Sequence, residues 1–138
     1  MGESSSTNAV LLDAVDGKIT HFNLVVKNQA AALEFYTERV GFEKKSDVTS
    51  PEGYRWVTVG PKGQELELVL TQAASKDIVK PAFVTMQVDD CRRAAEELMA
   101  RGVQFTQEPD ENPWAVSAIF ADPDGNHFQL NQYRKRGA

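Results

Sequence analysis

The sequence predicts an α+β fold: two tandem βαβββ modules whose curved mixed sheets surround a cleft, with helices on the outer face. Three observations carry this expectation. The second half repeats the first at an ungapped offset of 62 residues, so that Val26 meets Val88, Ala32 meets Ala94, Arg39 meets Arg101 and Leu68 meets Leu130. Equivalent turns recur at the same offset, Gly60-Pro61-Lys62-Gly63 and Asp122-Pro123-Asp124-Gly125. Between them, period-two apolar runs and helical stripes follow one another in the same order in both halves.

The elements follow in order. Residues 1–17, rich in Ser, Gly and Asn, are expected to form a flexible arm. Phe22, Leu24 and Val26 share one face of a strand over 19–26. Asn28 caps a helix with the stripe Ala32, Phe35, Tyr36 and Val40, and Gly41 ends it. Strands are expected near 42–49, 54–60 and 65–72, with 73–80 as a linker. The second module opens with a strand over 82–88. Asp89 or Asp90 then caps a helix with the stripe Cys91, Ala94, Ala95 and Leu98, ended by Gly102. Strands near 103–107, 115–121 and 126–133 complete it. Residues 18–138 thus make one domain, module 1 spanning about 18–72 and module 2 about 81–134.

Composition excludes some function classes. The formal net charge of -5 argues against nucleic acid or an anionic membrane surface as a partner, and Arg134-Lys135-Arg136 is too short to reverse it. Cys91 stands alone, which rules out an intrachain disulfide framework and suits a reducing compartment; it reads as a small buried helix residue. Residues 1–17 lack the basic start of a signal peptide, and no run approaches the roughly 20 apolar residues that span a bilayer. A cytoplasmic location is expected.

Strand parity sorts the chemistry. With Leu24, Leu68, Leu70, Val84, Met86, Phe128 and Leu130 packed on the helices, the opposite faces collect His21, Asn23, Glu67, Phe83, Thr85, Gln87, His127 and Gln129. A half-solvated sheet alternates in this way without any function. Yet both histidines of the chain fall on such a face, and the offset pairs His21 with Phe83 and Glu67 with Gln129, four positions expected to converge.

These residues also carry a resemblance. His21-Phe22-Asn23-Leu24-Val25-Val26, followed by Ala32-Leu33-Glu34-Phe35-Tyr36 and Val40-Gly41-Phe42, resembles the opening module of the vicinal oxygen chelate superfamily, which holds glyoxalase I, bleomycin-resistance proteins, fosfomycin-resistance enzymes and extradiol dioxygenases. Phe120-Ala121-Asp122-Pro123-Asp124-Gly125-Asn126-His127-Phe128-Gln129-Leu130 resembles its closing signature, so the likeness covers roughly 18–134. The resemblance implies metal-ligand positions at His21, Glu67, Phe83 and Gln129. Phe83 cannot bind a metal, and Gln129 offers a neutral amide oxygen where a glutamate is usual. A catalytic divalent ion needs about three protein ligands and an open position, so the resemblance points to the superfamily's metal-free binding members.

The leading expectation is a protein that binds a small molecule in the cleft between the modules, with no catalytic metal and, by resemblance, a homodimer. The alternative is a lyase, isomerase or dioxygenase holding Ni, Zn, Mn or Fe at His21, Glu67 and Gln129; without a metal, His21 and Glu67 are a candidate acid–base pair as well as a candidate hydrogen-bonded pair stabilising the wet side of the sheet. Whether the chain is an enzyme is left open. Trp56 and Trp114 are candidate stacking platforms as well as candidate core residues. Arg55 is a candidate for orienting a carboxylate or phosphate, or a solvated strand residue. Asp122, Asp124 and Gly125 are accounted for by the turn they form.

Overall fold

The computed structural model describes residues 16–75 and 80–134. Most of the expected N-terminal arm and residues 76–79 of the expected linker lie outside the described residues. The elements are β1 (His21–Val26), α1 (Gln29–Glu34), which continues as a wider π-helical stretch over Phe35–Val40, β2 (Glu43–Thr49), β3 (Arg55–Gly60) and β4 (Glu67–Gln72). The second module runs β5 (Phe83–Gln87), α2 (Cys91–Ala100), β6 (Gln104–Glu111), β7 (Ala115–Ala121) and β8 (His127–Tyr133). The βαβββ order is therefore present twice.

The sheets share one topology, β1-β4-β3-β2 and β5-β8-β7-β6. In each, the strand before the helix pairs parallel with the last strand, and the remaining pairs are antiparallel. The caps sit where the residue types place them. Asn28 accepts from the Ala31 amide, Asp90 from the Arg93 amide, and Gly41 and Gly102 leave their helices with φ near +87°. The strand ends observed at His21, Glu67 and Glu111 differ from expectation: β1 and β4 start two residues later, and β6 runs to Glu111.

Structural equivalence departs from the ungapped offset at two places. Asn28 and Asp90 match as caps, but Gly41 matches Gly102, one residue less. The additional residue of the first helix lies within the π-helical stretch: the Phe42 amide bonds the Tyr36 carbonyl, whereas the Val103 amide bonds that of Leu98. The β3–β4 connection is longer by one more residue than β7–β8. Register fixes the outcome: His21 lies opposite Glu67 in sheet 1, and Phe83 lies opposite His127 in sheet 2. The counterpart of Glu67 is thus His127, not Gln129, and Leu68 matches Phe128 rather than Leu130. Side-chain contacts agree, since Gln72 accepts from the Gln29 amide as Gln132 accepts from that of Cys91.

Each sheet carries its helix on one face, and the helix-bearing faces also meet one another. A single core joins Leu24, Val26, Leu68 and Leu70 to Cys91, Leu98, Phe120, Phe128 and Leu130. Its centre is aromatic. Tyr36 stacks on Phe42 at 6.0 Å and touches Phe128, which stacks on Phe120 at 5.1 Å. Tyr36 is fully buried, and its hydroxyl donates a 2.6 Å hydrogen bond to Asp122 in the second module. Asp122 also accepts from the Asp124 and Asn126 amides and from Asn126 Nδ2, so four donors saturate it. The turn role expected of Asp122 is present, with a clamp between modules added. Burial, then the negative charge of Asp122, drives the Tyr36 phenol far above its usual range. No helix among the described residues is long and apolar enough to cross a membrane.

Candidate functional site

The faces turned away from the helices lie across their own sheets from this shared core. Both have buried centres. Thr58 and Val69, paired across β3 and β4 on the polar side of sheet 1, are 0% and 2% exposed. Ser117 and Asn131, paired across β7 and β8 on sheet 2, are 3% and 8% exposed.

On sheet 1, parallel pairing brings the start of β1 beside the start of β4, so His21 and Glu67 become neighbours. His21 Nε2 lies 3.9 Å from Glu67 Oε1, and Nδ1 lies 2.8 Å from the Thr20 hydroxyl. A Thr20 hydroxyl donating to Nδ1 leaves the ring proton on Nε2, the nitrogen that faces the carboxylate. Thr58 Oγ1 donates to Glu67 Oε1 at 2.5 Å and holds that oxygen in place. Trp56 closes one side, its ring 5.5 Å from that of His21. Asn23 is held by the Thr71 hydroxyl at 3.0 Å. Thr58 is a member of this cluster that sequence reasoning missed, although it shares the parity of Trp56.

Arg55 is placed elsewhere. It has the parity of the buried Val57, borders the outer surface of α1, and grips Asp47 through two hydrogen bonds of 2.9 and 2.8 Å. The hydrogen bond from Arg55, aided by its charge, holds the Asp47 carboxyl below the usual range. The geometry thus separates Arg55 from the other candidates of sheet 1.

On sheet 2, Phe83 stacks on His127 with 13° between ring planes, and Thr85, Gln87 and Gln129 continue the same face. The centre is a polar chain that sequence reasoning also missed. Asn112 Nδ2 donates to Ser117 Oγ at 3.0 Å, Ser117 donates to Asn131 Oδ1 at 2.7 Å, and Asn131 Nδ2 donates to Tyr133 Oη at 3.0 Å. The alternation His127, Gln129, Asn131, Tyr133 along β8 was the available signal. Trp114, 68% exposed, sits on a braced loop: Asn112 Oδ1 accepts from the Trp114 and Ala115 amides, and Arg134 donates to the Asn112 carbonyl. Cys91 is buried against β8, and burial pushes its thiol up.

The candidates therefore form two sets. Described contacts join His21 to Glu67 and Trp56, and Phe83 to His127; none joins one set to the other. Among the described residues of one chain, no group of three or more His, Cys, Asp or Glu side chains is placed to hold a metal ion. Among the described residues the donor set near His21 stops at two, one short of the three protein ligands of an open catalytic site.

Comparison with known proteins gives consistent results. The family model of the Glyoxalase/Bleomycin resistance protein/Dioxygenase superfamily matches residues 18–130. YurT of Bacillus subtilis (strain 168) is 39% identical over 127 aligned residues, covering 83% of this chain and 98% of YurT. The solved structure of UcmS2 superposes with a TM-score of 0.79 at 33% identity, covering 86% of this chain and 99% of that one. TnmS3, described as an antibiotic binding protein from Streptomyces sp. CB03234, gives a TM-score of 0.77 at 32% identity, covering 88% and 99%.

Proposed function

Because this chain belongs to the Glyoxalase/Bleomycin resistance protein/Dioxygenase superfamily, we propose that it binds a small molecule on the concave faces of its sheets without a catalytic metal. One observation carries the reading. Each concave face sets aromatic surface beside fixed hydrogen-bonding groups, Trp56 against His21 on one and Phe83 against His127 on the other. Such a mixture holds an organic ligand by area and orients it by a few polar contacts. The likeness to TnmS3, an antibiotic binding protein, supports the same reading.

Among the described residues no contact joins the two faces, and the proposal includes a homodimer in which sheet 1 of one copy and sheet 2 of the other enclose the ligand. Asn23, Trp56, Phe83, Thr85, Gln87, Trp114, His127 and Gln129 are its contact residues, whereas Arg55 acts through Asp47 in the scaffold. The acidic balance of the chain supports a protein without nucleic-acid or anionic-membrane partners, and a cytoplasmic setting belongs to the same proposal.

The register favours one second reading. In a dimer of this kind, His127 of the other copy, rather than Gln129, would approach His21 and Glu67, and two imidazoles with a carboxylate are a familiar open metal set. Among the described residues, one chain alone does not supply that set. In the metal-free reading, the part of His21 and Glu67 is to present a ring N–H and a fixed carboxylate oxygen to the ligand.

Trp114→Phe leaves Trp56 as the reporter tryptophan, and titration with a panel of fused-ring aromatic compounds should quench it saturably. Elemental analysis of the same protein, exposed to nickel, zinc, manganese and iron(II), should find substoichiometric metal that His21→Ala does not change. Stoichiometric metal lost in His21→Ala, with no saturable quenching, would replace this proposal by the second reading.

A further inference from the structure

We infer that Tyr133 is a directed hydrogen-bond donor that selects ligands carrying an oxygen acceptor; this rests on the reading of sheet 2 as a ligand face. Two backbone amides, of Trp114 and Ala115, converge on one side-chain atom of Asn112 at 3.1 and 2.8 Å. Amides only donate, so that atom is oxygen and the other end of Asn112 is its NH2 group. Asn112 must therefore donate to Ser117 Oγ.

Ser117 is 3% exposed, and its own hydroxyl proton needs an acceptor. Asn131 Oδ1 lies 2.7 Å away, a length typical of an O–H donor. That choice fixes the second amide in turn. The NH2 of Asn131 points at Tyr133 Oη and occupies a lone pair of the phenol. Every link now runs in one direction, from Asn112 to Tyr133, and the Tyr133 proton has no acceptor among the described residues.

Tyr133 is 49% exposed and has the parity of His127, Gln129 and Asn131, so its proton is offered on the concave side of sheet 2. A ligand group that accepts there gains a hydrogen bond; one that only donates leaves the phenol unpaired. The ligand class is an organic compound with apolar surface for Phe83 and a carbonyl or similar oxygen for Tyr133. Between Phe83 and Tyr133 the face carries the uncharged Thr85, Gln87 and Gln129, with Asp110 beside Ser117 on β6. Asn112, Ser117 and Asn131 are positioning residues.

Two planar probes of the same shape test this, 2-acetylnaphthalene and 2-isopropenylnaphthalene, the second carrying CH2 in place of the carbonyl oxygen. Their affinities for the full chain are measured by two-dimensional NMR, and shifts at the Gln129 and Tyr133 amides locate the site. The native protein should prefer the ketone by about three- to tenfold. Tyr133→Phe should bring the ratio near one. Asn131→Asp should do the same with the phenol intact, because its carboxylate accepts from both hydroxyls and turns the Tyr133 proton inward. Ser117→Ala, which frees the Asn131 amide, should lower the ratio partway. A ketone preference that survives Tyr133→Phe and Asn131→Asp would overturn the inference and leave the ligand face standing. Absence of shifts on β8 with either probe would overturn both.

Discussion

The guanidinium of Arg39 donates a 3.1 Å hydrogen bond to the carbonyl of Arg101, and Arg101 returns one of 3.4 Å to the carbonyl of Arg39. The residues are 62 positions apart, so this exchange marks the local two-fold axis that relates the modules. It also sets each cation at the negative C-terminal end of the other module's helix, where a positive charge is favourable. Gly41 and Gly102 leave room for it, because a Cβ on Gly102 would collide with Arg39 Nη1 and one on Gly41 would lie 2.9 Å from Arg101 Nη1.

Gly102→Ala should therefore destabilise the protein by about 1–3 kcal/mol, combining left-handed backbone strain with displacement of Arg39. Urea unfolding of Gly102→Ala, Arg39→Ala and the double variant separates the two. The double variant should lose less than the sum of the single losses. Strict additivity would show that the collision is not felt.

The clamp between Tyr36 and Asp122 gives a second expectation. Tyr36→Phe removes one of four donors from a buried carboxylate and should cost about 1–3 kcal/mol in urea unfolding. The pH dependence has a definite sign. The folded-state phenol lies above its ordinary value of 10.0, so its contribution is complete below that value and falls as pH rises beyond it. The native protein should lose stability above about pH 10, and Tyr36→Phe should show a shallower loss. Parallel alkaline profiles would place the titrating group elsewhere.

Arg55 and Asp47 supply a contrast. The ordinary carboxyl value is 3.8 and the folded value is lower, so the contribution is present above 3.8 and is lost as pH falls through the depressed value. The pair is solvent-screened, so Arg55→Ala should change stability at neutral pH by less than about 1 kcal/mol. Fused-ring aromatic binding, followed by Trp56 quenching, should survive this substitution. Loss of binding would return Arg55 to the site.

Thr58→Val keeps the shape of a buried side chain but removes the donor that holds Glu67 Oε1. A double-mutant cycle with Glu67→Ala should give a coupling of about 1 kcal/mol in urea unfolding. A coupling near zero would mean that the short contact contributes nothing.

Much of this was legible in the residues. Asn28, Asp90, Gly41 and Gly102 delimit their helices by chemistry that needs no neighbours, and leucine parity along β4 and β8 named the packed faces. Register was not legible to the same degree. An ungapped offset has no place for one residue absorbed in a helix and another in a turn, so it paired Glu67 with Gln129, and the strands pair it with His127. Arg55 was a candidate ligand contact or a solvated strand residue, and its residue type alone gives no hint that Asp47 waits across the hairpin. The chain through Ser117 and Tyr133 needed two strands and a loop in position together.

The wide turn over Phe35–Val40 bears on how these halves came to differ. One residue inserted into an ordinary α-helix rotates everything after it by about 100° and would swing Gly41 and β2 off the sheet. Winding the additional residue into a broader coil cancels that rotation, so the exit direction is kept and only the local girth of the helix changes. A duplicated half could thus lengthen without losing phase with its twin. The same reasoning makes a deletion within residues 37–40 more tolerable than one anywhere in α2, because the first helix has a turn to give back and the second has none.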